Sequence, residues 1–287
     1  MTIKDSANQL LSAFESALVL NGRRPCREPL FAGVDLGTAY TVTAVVDGAG
    51  MPVAGAVTRS RSSIRDGLVL DYVGAIEMVR RQVKLLREAG FPIQLAAAAY
   101  PPGTVGRNAQ TCANVLEAAG LQVSGMIDEP TAASLVLQIT DGAVVDIGGG
   151  TTGISVIQGG EVVHTADEAT GGIHVDLVIA GHFKISTDEA EIMKTDPRQQ
   201  ATLFPLIAPV FQKMASIVLQ NVRDYPVATV YLVGGTSCFP GIEQVMEAET
   251  GFSVERPVSP LLVTPLGIAL SCLKSEREKP GKLGKTR

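Results

Sequence analysis

What this sequence lacks narrows it first. No apolar run reaches the length of about 18 residues expected of a membrane span. The N-terminus has no basic start followed by an apolar core, so it does not read as a secretory signal. The four cysteines, Cys26, Cys112, Cys238 and Cys272, are far apart and show no C-x-x-C spacing. The three histidines, His164, His174 and His182, fall near none of them. Reduced thiols in a cytosolic protein are expected, with no zinc site. Basic charge is scarce as well. The net charge is −5, and the one basic cluster is the tail KPGKLGKTR. Nothing there offers the electrostatic footprint of nucleic-acid binding. Neither nucleic acid nor membrane is an expected partner.

What is present is apolar and rich in glycine. The chain has 287 residues, 46% apolar, with 30 glycines. That suffices for one large or two modest domains with many tight turns. The stretch AVVDIGGGTTGISVI, residues 143–157, is the most informative. Its flanks are apolar and β-branched, as in a strand buried on both faces. A carboxylate at the end of such a strand is costly unless a cation or a hydrogen bond meets it. Glycines allow a tight turn and close approach to the backbone N–H groups, and threonines add hydroxyls. These parts suit a phosphate carried with magnesium, though a plain glycine-rich hairpin with an exposed Asp has the same composition.

The pattern occurs twice. Residues 32–50, AGVDLGTAYTVTAVVDGAG, again run strand, Asp, Gly, Thr, strand and turn. Asp35 and Asp146 hold the same place in two copies, and a third strand candidate follows each, MPVAGAVT and EVVHTADE. Repetition of this kind governs the choice of fold. Each copy would be an α/β unit of three antiparallel strands followed by alternating helix and strand. Two such halves would present their Asp-Gly-Thr turns to a shared cleft. The aspartates would then hold magnesium, which takes few carboxylates and keeps its waters and phosphate oxygens.

The remaining elements follow from period and punctuation. Residues 5–20 form an amphipathic helix with Leu10, Leu11, Phe14, Ala17 and Leu18 on one face, and NGRRPCREP reads as a linker. That helix is either a detachable docking element, such as an encapsulation tag, or is folded back on the domain. Helices are expected over 71–90, 107–120 and from 128, with Asp71 as N-cap, Gly90 and Gly120 as stops and Pro130 in a first turn. The region 172–224 should be helical and broken at Pro197, Pro205 and Pro209. A strand at 227–235, a helix after Pro240, a short strand at FSVERP and a last helix TPLGIALSCLK complete the pattern. Beyond Ser275 the chain is charged and without apolar period.

Four of these stretches carry a family resemblance. VDLGTAYT at 34–41 resembles the first phosphate loop of the actin, heat-shock chaperone and hexokinase superfamily, and VVDIGGGTTGISV its second. DEPTAAS at 128–134 resembles the first connecting helix of DnaK-type chaperones, and LVGGTSCFPGI at 232–242 their adenosine motif. IRDGLVLDYVGA, YPPGT, LEAAGLQVSGMIDEPTAA, DEATGG and VTPL are similar to the EutJ family of ethanolamine-utilisation proteins. The resemblance spans residues 30–272. It implies the actin-like ATPase fold, with two duplicated RNase H-like lobes around a nucleotide cleft. The implied division is a helix and linker over 1–28, a first lobe over 29–140 with a returning helix 261–275, a second lobe over 141–260 and a flexible tail over 276–287.

The resemblance also implies roles. ATP and magnesium are the implied cofactors, with Asp35 and Asp146 holding magnesium largely through water. Gly37, Thr38, Ala39 and Tyr40 would wrap the phosphates from one side, and Gly148, Gly149, Gly150, Thr151 and Thr152 from the other. Glu129 matches the residue that orients the attacking water, although a carboxylate at a helix start also suits the helix dipole. Gly234, Gly235 and Thr236 would lie under the adenosine. Glu191 and Lys194, in DEAEIMK, resemble ribose- and adenine-contacting residues of MreB-like and pilus-assembly relatives, or are a charged helix face. The chain departs from DnaK-type enzymes in having no lysine between Lys4 and Lys84. Arg59, Arg61 and Arg65 lie where a cation could reach the γ-phosphate instead. SPLLVTPLG also lacks an acidic residue kept by the chaperones. ATP binding with slow hydrolysis is the expectation. The implied function is a chaperone-like protein acting on ethanolamine ammonia-lyase, another pathway enzyme or a microcompartment shell protein. A nucleotide-dependent filament or scaffold of the MreB or FtsA type, a small-molecule kinase and a nucleotide-binding remnant are the alternatives.

Overall fold

In a computed structural model, the structure describes residues 3, 5–18, 26–60, 64–65, 68–69, 71–101 and 107–278. An N-terminal helix α1 (Asp5–Ala17) precedes three strands, β1 (Phe31–Leu36), β2 (Tyr40–Val46) and β3 (Pro52–Arg59). A two-stranded ribbon, β4 (Ile64–Arg65) and β5 (Leu68–Val69), leads to α2 (Tyr72–Glu88), β6 (Leu95–Tyr100), α3 (Arg107–Ala118), β7 (Gln122–Asp128) and α4 (Glu129–Leu137). The second series runs β8 (Gly142–Ile147), β9 (Thr152–Gln158), β10 (Glu161–Glu168), α5 (Gly172–Phe183), α6 (Thr187–Thr195) and α7 (Pro197–Val222). It ends with β11 (Thr229–Val233), α8 (Ile242–Thr250), β12 (Ser253–Glu255) and α9 (Val263–Glu278).

The two series build the same sheet twice. The first has the order β3-β2-β1-β6-β7 and the second β10-β9-β8-β11-β12. In each, the hairpin strands pair antiparallel and the later strands add in parallel. Parallel addition requires helical crossovers, which cover the sheet faces with helices.

Three apolar clusters hold the chain together. α2 and α3 cover one face of the first sheet through Val79, Val83, Leu86, Val115 and Leu116. α5, α7 and α8 cover the second through Val175, Ile179, Phe211, Met214 and Met246. The third lies between the sheets, where α4 and α9 cross and both sheets supply residues, including Val42, Ala44, Val144 and Tyr231. The crossing is close: a Cβ on Gly267 of α9 would lie 1.9 Å from the Ala132 carbonyl oxygen of α4. A side chain there would separate the helices that join the two halves.

Three expectations need correction. Pro205 and Pro209 do not break the helical region; both lie within α7. They are four apart on its exposed side, while Leu203, Ile207, Phe211 and Met214 are buried on the other. The carbonyls they leave without amide partners therefore face solvent, and core packing carries the helix through. The break expected at Pro197 is present, with Asp196 capping α7, and a further one comes at the Ser186 capping box. Second, α7 is long and apolar enough to cross a membrane by length and composition, contrary to the expected lack of such a run. Its apolar face is spent on the second sheet. Third, α9 continues to Glu278, past the expected stop, with Glu276 buried.

Candidate functional site

Each sheet ends its first strand on an aspartate and turns at once into a hairpin. The Gly37 amide donates to the Tyr40 carbonyl at 3.1 Å, and the Gly148 amide donates to the Thr151 carbonyl at 3.0 Å. These are the same turn made twice. The hairpins face each other closely, since a Cβ on Gly149 would lie 2.8 Å from the Ala39 Cβ and 2.9 Å from its amide nitrogen. Glycine at 149 is what allows the two lobes to meet there.

Between them is a cleft with about 70 Å³ of cavity volume that is open to solvent. Of the residues singled out in the sequence, Asp35, Gly37, Thr38, Ala39, Tyr40, Glu129, Asp146, Gly148, Gly149, Gly150, Thr151, Gly234 and Gly235 line it. Thr152, Thr236, Glu191 and Lys194 are not among the lining residues. Thr152 is fully buried and donates to the Thr170 carbonyl at 2.6 Å. Thr236 donates to the Gly148 carbonyl at 2.7 Å and so supports the second hairpin from behind. Lys194 pairs with Asp176 at 2.7 Å and donates to the Gly172 carbonyl at 3.3 Å.

Glu191 pairs with Arg59 of β3, and its carboxylate also hydrogen-bonds the Tyr40 phenol. Arg59 reaches Asp188 as well, at 3.5 Å. One of the three arginines expected near the γ-phosphate is thus held by α6. Arg61 lies outside the described residues, and Arg65 is on β4. Lys84 sits on the exposed face of α2 near Glu88, at 3.8 Å.

The cleft floor is acidic. Burial pushes the Asp35 carboxyl up to about 7, with the Asp146 charge adding to it. Burial raises Asp146 to about 6; a hydrogen bond from Thr264 works against the rise and Asp167 adds to it. Glu129 is raised well above the usual carboxylate range, by burial first and then by Asp146, Asp35, Asp167 and Asp128. Thr264 Oγ1 donates to Asp146 Oδ2 at 2.7 Å. It comes from the start of α9, in the stretch SPLLVTPLG that lacks the acidic residue of DnaK-type chaperones. Glu129 is the first residue of α4, which Asp128 caps by accepting the Thr131 amide at 2.9 Å.

Converging carboxylates that raise each other's pKa form a field a cation would relieve. Among the described residues no three His, Cys, Asp or Glu side chains are arranged to hold a metal directly. The donors fit magnesium that keeps its own waters and takes its remaining ligands from phosphate. α5 adds a further feature, because its N-terminus rests on the second hairpin: the Gly172 and Ile173 amides donate to the Gly148 and Gly149 carbonyls at 2.9 and 2.8 Å.

Asp167, Thr264 and Pro101 contribute to the site from DEATGG, VTPL and YPPGT, stretches that carried the family resemblance but no residue role, and Leu261 contributes from none of these stretches. Asp167 had a faint signal, as the last-but-one residue of the third repeat strand.

Comparison with known proteins agrees with this geometry. Residues 116–261 match the family model described as type IV pilus assembly protein PilM. The chain is 40% identical over 266 residues to the ethanolamine utilization protein EutJ of Escherichia coli, covering 91% of this chain and 94% of that protein. The crystal structure of EutJ from Carboxydothermus hydrogenoformans superposes with a TM-score of 0.86 at 46% identity, over 92% of this chain and 97% of that one. MreB5 of Spiroplasma citri, bound to ADP, superposes with a TM-score of 0.70 at 16% identity, over 88% of this chain and 99% of that one. This last likeness concerns the fold, which is that of the actin-like ATPases.

Proposed function

The chain belongs to the EutJ family, and from that premise we propose that it is an ATP-binding, chaperone-like protein of ethanolamine utilisation with slow magnesium-dependent ATPase activity. Its client would be a pathway enzyme or a microcompartment shell component, met in the cytoplasm. One observation carries the reading: two equivalent Asp-Gly hairpins from two equivalent sheets meet over three raised carboxylates.

In this reading the backbone amides between Gly37 and Tyr40, and between Gly148 and Thr151, hold the phosphate chain from both sides. Gly234 and Gly235 give the adenosine a surface without side chains. Magnesium, when bound with ATP, neutralises phosphate charge. Asp35 and Asp146 would orient its waters, with Thr264 fixing the Asp146 carboxylate. Glu129 would orient the attacking water and, with its raised pKa, accept its proton. Arg59 is engaged by Glu191 and Asp188, so this arginine is not a free cation positioned to speed the transfer. Loss of one cation slows such a reaction more than it weakens binding.

The test is ATP titration of the native chain and of Asp146→Ala, with and without magnesium. Native binding should tighten with magnesium, and the substitution should remove most of that gain. Equal affinity and equal magnesium dependence in the two proteins would refute the site. Phosphate release without an added acceptor separates an ATPase from a kinase, and ATP-dependent sedimentation would favour a filament.

A further inference from the structure

α1 belongs to neither sheet yet joins both. On one side it rests on β3. A Cβ on Gly55 would lie 2.6 Å from the Phe14 ring and 2.8 Å from Leu18, so the helix lies flat where the strand has no side chain. On the other side it reaches the segment between β12 and α9. The Ile3 amide donates to the Glu255 carboxylate. The Val258 amide donates to Asn8 Oδ1 at 3.1 Å, and the Ser259 hydroxyl donates to the Glu15 carboxylate at 3.0 Å. Between these anchors Ala7, Leu11, Phe14 and Ala17 are at most 2% exposed. Leu11 and Phe14 enter the shared core around α4 and α9.

The segment that α1 grips is a wall of the cleft. The Pro260 carbonyl accepts the Gly234 amide at 3.1 Å, and Leu261 lines the cleft, 3.3 Å from where a Gly235 Cβ would stand. Glu15 to Ser259, then Pro260 to Gly234, is thus a two-step route from the helix to the floor of the adenosine side.

We propose that α1 is an intramolecular brace that ties β3 of the first lobe to residues 255–259 of the second and so limits how readily the cleft opens to exchange nucleotide. A helix of 13 residues is a rigid strut of about 20 Å. Rotation of the lobes about the α4–α9 crossing moves its two anchors apart. The apolar anchor on β3 is buried, whereas the anchor on residues 255–259 consists of hydrogen bonds near solvent. Opening therefore releases the polar side first and leaves α1 on β3. The effect on exchange rests on the ATP-binding reading; the tie between the lobes does not.

The test uses the full chain with Asn8→Ala and Glu15→Ala combined, which removes polar contacts and leaves the apolar face intact. Gln9→Ala, exposed on the same helix, is the control. Two rates are read: amide hydrogen exchange at Gly234 and Leu262 without nucleotide, and dissociation of a fluorescent ATP analogue with magnesium. Loss of two hydrogen bonds should raise both by roughly tenfold, with the control unchanged. Ser259→Ala, which removes one bond from the other side, should raise both by about threefold. A folded double variant with both rates native overturns the proposal. Faster exchange with native analogue release overturns the claim on the cleft. If the native chain binds no analogue, the ATP reading fails instead, and exchange alone decides the brace: native exchange in the double variant refutes it.

Discussion

Gly55 and Thr165 occupy the same position in two copies of one sheet. Counted back from Asp35 and Asp146 through the paired strands, Gly33, Ala44 and Gly55 correspond to Val144, Ser155 and Thr165. The backbone pairing is the same, but the surfaces are not. In the first lobe two of the three are glycine, and a helix lies against each. A Cβ on Gly33 would lie 2.2 Å from the Ala269 nitrogen of α9, and Gly55 receives α1. In the second lobe Val144 keeps its side chain in the core between the sheets, and Thr165 is exposed. Duplication has kept what positions the hairpins and released what does not. Without a covering helix, β10 protects its edge by a register shift between Val162 and His164 and by the exposed Glu161 and Glu168.

Exchanging residues between the copies tests this asymmetry. Gly33→Val, the second lobe's residue, should cost about 3 kcal/mol or more, because α9 cannot retreat without opening the α4 crossing; urea unfolding measures it. Gly55→Thr should cost about 2 kcal/mol by lifting α1, while Thr165→Ala in the other copy should stay within about 0.5 kcal/mol. Equal costs in the two lobes would show that α1 is not seated as described.

The hairpins give a finer contrast. A Cβ on Gly37 would meet the Tyr40 carbonyl oxygen at 2.6 Å, whereas one on Gly148 would stand 3.7 Å from that of Thr151. Gly37→Ala should therefore weaken ATP binding by about tenfold, on the scale of an overpacked turn, and Gly148→Ala by far less. Calorimetric titration of both variants compares them directly.

Titration gives the smallest contrast. Asp35 is raised to about 7 and Asp146 to about 6, and the Thr264 hydrogen bond opposes the rise at Asp146. Both folded-state pKa values lie above the unfolded value, so the folded protein holds protons that the unfolded chain has released. Stability from these groups is complete below about pH 4, falls as pH rises through 6 and 7, and is level above. Thr264→Val should move the lower step upward and narrow the separation. Magnesium with ATP should flatten the slope by favouring the ionised forms. Thermal unfolding across this range, with and without the ligand pair, reads both effects; an unmoved lower step in the variant would mean that the Thr264 bond does not set the difference.

Much of the fold was legible because its signals are local. Asp71 caps α2, Gly90 follows its end with a positive φ, and Pro130 lies in the first turn of α4, as their residue types favour. The paired aspartates stood out because a buried strand rarely ends on a lone carboxylate. The prolines of α7 misled because their exposed placement depends on which face the second sheet covers. Glu191 and Lys194 follow a ligand-contacting pattern along the chain, but their partners Arg59 and Asp176 come from other elements, which spacing does not disclose.

By itself the sequence determined the repeat, the order of strands and helices and the two acidic hairpins, since each depends on hydrophobic period, turn chemistry and β-branching within short windows. Tertiary structure alone decided that Ala39 meets Gly149, that Thr264 restrains Asp146, that Arg59 is held by Glu191 and that α1 spans both lobes. These contacts join residues far apart in the chain. Their existence depends on how closely helices and sheets approach, and that distance is fixed by side-chain volume across the interface.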